Sequence, residues 1–191
     1  MSVKILAFAG SLRKDSWNKK VVQVMAGAAG KAGATVDLID LKDFPMPIYD
    51  GDLEDASGLP EAALRLRALM QAADGFLISV PEYNGAITAV LKNVIDWASR
   101  PREGEPPLAC FKGKVCGLAG ASPGALGGIR GLPITRQILS GIGMLVLAQQ
   151  VAVASVHEKF DDGGTMTDER HRAMLEELGA ETVRVAQALK G

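Results

Sequence analysis

The chain of 191 residues is 48% hydrophobic with a formal charge of −1, enough apolar material for one sizeable core and too little basic excess to suggest nucleic acid or acidic lipid as a partner. No unbroken apolar run reaches the length of a membrane helix, and the start leads straight into a strand rather than a basic-then-apolar leader, so a cytoplasmic protein folding as one domain over residues 1–191 is expected. Cys110 and Cys116 are too few for a secreted disulfide framework, and His157 and His171 lack the spacing of metal ligands.

Residues 3–9 form a short apolar run bounded by Gly10, as a buried strand requires. Val21, Met25, Ala28 and Ala32 then fall one turn apart and predict a helix stopped by Gly33. Residues 34–41 read as a second strand whose interspersed acids suit a sheet edge. Residues 42–58, with two prolines and two glycines, read as a long connection of the kind that serves function or an interface. Pro60 suits the first turn of a helix carrying Ala63, Leu66, Met70 and Ala73, and residues 75–80 read as a third strand, again a continuous apolar run.

Pro81, Glu82, Tyr83, Asn84, Gly85 and Ala86 follow as a loop. The next helix is expected from Ile87, with Val90, Leu91, Val94, Ile95 and Ala98 at spacings of three and four; Trp97 near its end serves either the core or a subunit contact. A Pro-rich link over 101–113 precedes a fourth strand at 114–119 and a glycine-dense loop at 120–128. A helix with Ile134, Ile138, Leu139 and Ile142 then carries Pro133 in its first turn or at a kink. Residues 144–153 make a fifth strand, 155–165 a polar segment expected to be mobile, and 167–189 a closing helix with Leu175, Leu178, Val185 and Leu189 inward.

Five alternations of strand and helix predict an α/β fold, a doubly wound parallel sheet of order 2-1-3-4-5 with helices on both faces, the flavodoxin-like arrangement. In that order ligand sits at the switch point between the first and third strands, which brings the loops at 10–18, 81–86 and 120–128 to one crevice.

The first of these loops leads from a strand into a helix N-terminus, where free N–H groups and the helix dipole favour an anion. It lacks the second glycine of a dinucleotide fingerprint and the Gly-Lys-Ser/Thr ending of a triphosphate loop. Its Ser11, Arg13, Ser16 and Asn18 suit one terminal phosphate, with Arg13 as a charged fork. The competing reading is that Ser16 or Asn18 caps the helix while Arg13 is solvated. A phosphate at one loop and an aromatic, polar strand end at another describe a mononucleotide with a flat ring, either a flavin or an adenine nucleotide.

Three motifs, Gly10-Ser11-Leu12-Arg13-x-x-Ser16-x-Asn18, Pro81-Glu82-Tyr83-Asn84-Gly85 and Leu91-Lys92-Asn93-x-Ile95-Asp96-Trp97, resemble the signatures of the NADPH-dependent FMN reductase family, which includes chromate and quinone reductases and azoreductases. The resemblance implies FMN as cofactor and NADPH or NADH as donor, with a quinone, flavin, azo compound or metal oxyanion as the small-molecule acceptor. It implies that Ser11, Arg13, Ser16, Trp17 and Asn18 hold the phosphate, Trp17 chiefly through its backbone. Pro81, Glu82, Tyr83, Asn84 and Gly85 would frame the ring, joined by Ser122. Homodimers or homotetramers are the family's usual states.

Past Gly128 the chain departs from the family, because Gly131 and Pro133 interrupt what is usually a polar, arginine-containing helix start. No side chain is expected to act as acid or base; Glu82 reads as a carboxylate on a loop that binds through its backbone. A flavodoxin-like electron carrier is the alternative. The near-neutral charge counts against it, since carriers of that kind are usually strongly acidic. A phospho-acceptor domain would need carboxylates where Ser11 and Pro81 stand.

Overall fold

The computed structural model describes residues 2–191. Strands β1 (Lys4–Ala9), β2 (Thr35–Ile39) and β3 (Gly75–Ser79) come first, then a short hairpin of β4 (Glu82–Tyr83) and β5 (Ala86–Ile87), then β6 (Val115–Ala121) and β7 (Leu145–Val153). The main sheet is parallel in the order β2-β1-β3-β6-β7, which is the expected 2-1-3-4-5 once the hairpin strands are set aside. The helices are α1 (Trp17–Lys31), α2 (Gly51–Ser57), α3 (Glu61–Ala72), α4 (Ala89–Ala98), α5 (Gly131–Gly141) and α6 (Glu169–Lys190).

The unbroken apolar strands follow from burial on both faces. Side chains alternate across β1, so Ile5, Ala7 and Ala9 join Val21, Met25, Leu175 and Leu178 under α1 and α6. Leu6 and Phe8 point the other way and pack with Leu66, Met70, Leu91 and Leu139 from α3, α4 and α5. The half-exposed β2 is an edge, as its acids imply. At the opposite edge, Arg136 of α5 donates to the carbonyls of Val146, Leu147 and Ala148, where the β6–β7 register shifts between Cys116 and Leu118. That guanidinium supplies hydrogen bonds to carbonyls where the ladder is irregular.

Helices α1 and α6 meet at Gly179, where an added Cβ would lie 2.4 Å from the carbonyl oxygen of Met25. Gly179→Ala must therefore push the two helices apart. A loss of about 1–3 kcal/mol is expected, read as a lower midpoint in urea at unchanged slope.

Four sequence expectations change. The connection at 42–58 is partly ordered, with a 3₁₀ turn at Leu41–Asp43 and α2, whose N-cap Asp50 accepts from the Asp52 N–H. The helix expected from Ile87 begins at Ala89, because Ala86 and Ile87 pair with Tyr83 and Glu82 across a two-residue turn. Asn84 at φ 54° and Gly85 at φ 79° give that turn the mirror-image geometry that tight hairpins prefer. The segment at 155–165, expected to be mobile, is anchored by buried Val156 and Phe160 and by a bridge from Phe160 to buried Met166. Leu189, expected inward, is 53% exposed. The inner phase of α6 runs through Leu178, Thr182, Val183 and Ala186, and the last turn reaches the sheet's rim, where Lys190 pairs with Asp74 at 2.8 Å.

Candidate functional site

Loops leave β1, β3 and β6 at adjacent carboxyl ends, since Ala9 is in register with Ser79 and Ser79 with Ala119. The loop after β1 enters α1 at Ser16, an extended N-cap whose hydroxyl makes no capping hydrogen bond, and the first turn carries no acid. The first N–H groups of α1 thus have no side-chain acceptor, and an anion is their natural complement. Ser11 is buried with its hydroxyl accepting from the Arg13 N–H at 3.2 Å, while the exposed Arg13 guanidinium forms no ion pair among the described residues.

Asn18 does not cap α1 either. Its amide nitrogen donates to the Ala121 carbonyl at 2.9 Å, and its oxygen accepts from the Ala121 N–H at 3.0 Å and the Ser79 hydroxyl at 2.8 Å. One buried carboxamide therefore ties the start of α1 to the ends of β3 and β6. The indole of Trp17 is likewise turned to structure: its ring lies 5.7 Å from that of Phe160, and the Lys20 ammonium sits 4.5 Å over it. Gly10 is fixed on both sides, its N–H donating to Ser79 and its carbonyl accepting from the Thr88 hydroxyl at 2.6 Å. That same hydroxyl caps α4 by accepting from the Leu91 N–H at 3.3 Å.

A single crevice gathers Ser11, Arg13, Ser16, Trp17 and Asn18 from the first loop, Pro81, Glu82 and Tyr83 from the second, and Ser122 from the third. Ala121 and Pro123 complete its lining. Asn84 and Gly85 stand outside it as the hairpin turn. The third loop is held by backbone bonds, with the Ser122 N–H donating to Val153 and the Val156 N–H donating to Ser122. Tyr83 is half exposed at the mouth.

The Glu82 carboxylate faces Arg130, accepting from its backbone N–H at 3.0 Å and its Nε at 2.6 Å. Partial burial pushes the Glu82 pKa up, but the Arg130 hydrogen bonds and charge outweigh it and hold the carboxyl below its ordinary value. An ionised carboxylate with both oxygens engaged has no proton to give.

Sequence reasoning passed over Ser79, Thr88 and Arg130. Thr88 carries a readable signal, a hydroxyl three residues before the first buried leucine of a helix, which is hidden when that helix is started at Ile87. Ser79 and Arg130 carry none, since their partners lie 61 and 48 positions away.

The third motif is not part of the crevice. The Asn93 amide and the Trp97 indole N–H both donate to the Pro47 carbonyl at 2.8 Å, and Asn93 accepts from the Tyr49 N–H, so these residues fasten the connection at 42–58 onto α4.

The chain is 36% identical over 176 residues to an NAD(P)H-dependent FMN reductase of Pseudomonas aeruginosa, covering 92% of this chain and 90% of the relative. It is 32% identical over 177 residues to a 2-hydroxy-1,4-benzoquinone reductase of a Burkholderia species, covering 92% of each. Among solved structures, the FerB flavoenzyme NAD(P)H:(acceptor) oxidoreductase of Paracoccus denitrificans superposes with a TM-score of 0.79 at 28% identity, over 97% of this chain and 98% of that one. Residues 3–158 match the model of a single family across all of the strands and all three loops, and the chain belongs to the NADPH-dependent FMN reductase family.

Proposed function

We propose that this protein is an NAD(P)H-dependent, FMN-containing reductase whose acceptor is a quinone, with the FMN phosphate on the N-terminus of α1. The observation that carries the reading is the uncapped first turn of α1 beneath Ser11, Ser16 and an Arg13 with no ion pair among the described residues. These groups fit a phosphate: two hydroxyls, backbone N–H donors and one cation, with no carboxylate in the turn. When bound, FMN supplies the hydride acceptor between nicotinamide and quinone, and the protein supplies placement.

Ser11, Arg13, Ser16, Asn18 and the backbone of Trp17 hold the phosphate. Pro81, Glu82, Tyr83 and Ser122 frame the ring, Glu82 through its backbone, and the turn residues Asn84 and Gly85 aim the hairpin. No side chain is assigned a proton. Quinone is favoured among acceptors by the names of the relatives; azo compounds and metal oxyanions such as chromate are further acceptors of the same reading. Leu12, Tyr83 and Leu126, large apolar residues exposed on the three loops, and Ile129 just beyond the third support a homodimer or homotetramer that covers the mouth. Two buried free thiols are in keeping with a cytoplasmic setting.

Purified protein is expected to be yellow, to bleach under anaerobic NADPH or NADH, and to regain colour on adding 1,4-benzoquinone. A protein that takes up no FMN overturns the reading. A yellow protein that neither nucleotide bleaches is instead an electron carrier. Arg13→Ala is expected to weaken FMN binding by about 1.5–3 kcal/mol, roughly 10- to 150-fold in Kd, through loss of a hydrogen bond to a charged group. Fluorescence titration measures it, and an unchanged Kd removes Arg13 from the site.

A further inference from the structure

Helix α5 starts without a cap of its own. Its N-cap position is Arg130, already in helical conformation, which provides no side-chain cap, and no acid occupies its first turn. The missing acceptor comes from another loop. Glu82, 48 positions earlier, takes the Arg130 backbone N–H on one oxygen and the guanidinium Nε and Nη2 on the other. Its side chain is 7% exposed, whereas that of Arg130 is 60% exposed, so the carboxylate is enclosed and the guanidinium lies over it from the solvent side.

The packing beneath is equally close. A Cβ added at Gly131 would lie 3.7 Å from the Glu82 Cβ and 3.6 Å from the Ala86 carbonyl, and one at Gly85 would lie 3.9 Å from the Arg130 Cζ. The start of α5 is thus seated on both strands of the hairpin, with the guanidinium against its turn. A negative group at a helix N-terminus is stabilised by the dipole as well as by the N–H it accepts. Both oxygens are consumed, which removes Glu82 as a proton donor and gives its carboxylate a different role.

We propose that Glu82 is a positioning residue: its carboxylate caps α5 and latches the β4–β5 hairpin to the third loop, fixing where the hairpin backbone meets the flavin ring. Arg130, outside the crevice lining, is the other half of the latch. The proposal rests on the reading of the crevice as an FMN site. It differs from a ligand role for the Glu82 side chain in a checkable way, because a latch fails when either half is removed.

The test is a double-mutant cycle of Glu82→Ala and Arg130→Ala, with Glu82→Gln as the conservative variant. Two readouts are taken on each protein: amide hydrogen exchange at Arg130 and Gly131 without cofactor, and FMN affinity by fluorescence titration. Each single variant is expected to speed exchange and to weaken FMN binding about tenfold, in line with one charge-assisted hydrogen bond. The double variant is expected to be no worse than Glu82→Ala. Glu82→Gln keeps an oxygen for the Arg130 N–H and is expected to recover part of both losses. The latch is overturned if Arg130→Ala leaves exchange and affinity at wild-type values while Glu82→Ala alone loses FMN, or if the two losses simply add. Should the wild-type chain bind no FMN, the site reading falls, and the exchange arm still decides the latch.

Discussion

Replacing Asn18 with alanine is expected to lower the thermal midpoint by roughly 6–12 °C and to empty the site of cofactor in the same variant. Three buried hydrogen bonds end on that one carboxamide, from the Ala121 N–H, to the Ala121 carbonyl and from the Ser79 hydroxyl. Alanine leaves all three partners unsatisfied, and each such group costs about 1–3 kcal/mol. Water from the crevice replaces some of these bonds, so a net loss near 3 kcal/mol is the reasonable figure, which for a chain of this size is roughly 2–4 °C per kcal/mol.

Cofactor loss follows for a separate reason. Asn18 is the junction at which the first, second and third loops are brought into register, so the N–H groups of α1 drift from the hairpin and the Ser122 loop when it is cut. Asn18→Asp is expected to be nearly as harmful, because a carboxylate oxygen then faces the Ala121 carbonyl. Calorimetry and FMN titration on the same preparation separate the cases. A variant that loses FMN with an unchanged melt shows the amide acting on the ligand directly.

The second large effect is at Trp97. Its side chain is fully buried, its ring lies edge-on to Tyr49 at 5.0 Å, and its indole N–H reaches the Pro47 carbonyl. Trp97→Ala is expected to cost about 3–5 kcal/mol, the range for truncating a large buried aromatic residue. Trp97→Phe keeps most of the apolar area and is expected to cost about 1 kcal/mol, mainly the lost hydrogen bond. Urea denaturation measures both losses. A subunit contact makes the opposite prediction: Trp97→Ala would change the elution volume on size exclusion and leave monomer stability intact.

Sheet order, edge and crevice were legible because periodicity and glycine placement are local properties. Residues 3–9 and 75–80 read as doubly buried strands, and the rule that ligands sit at a switch point then brought three loops to one end. The hairpin was equally legible, in Asn84-Gly85 between Tyr83 and Ala86, but an aromatic, polar strand end invites reading as ligand surface before it is read as a turn. Side-chain partners were not legible. Asn18 and Glu82 belong to motifs associated with the cofactor, yet each carboxamide or carboxylate is satisfied by protein groups far along the chain. A residue type records which atoms a position can offer, while the fold decides who receives them. The start of α5 at Gly131, which has no cap of its own, is completed from the hairpin in the same way.

The sheet divides the interior into two apolar layers, one under α1 and α6, the other under α3, α4 and α5. The α1 side of the crevice is built on the first layer, and strand β5, helix α5 and the connection at 42–58 rest on the second. Substitutions that reshape the second layer can therefore move the hairpin side of the crevice while the α1 side keeps its own foundation. The two sides of the crevice are thus free to be altered separately, so long as the Asn18 carboxamide that joins α1 to the ends of β3 and β6 is left in place.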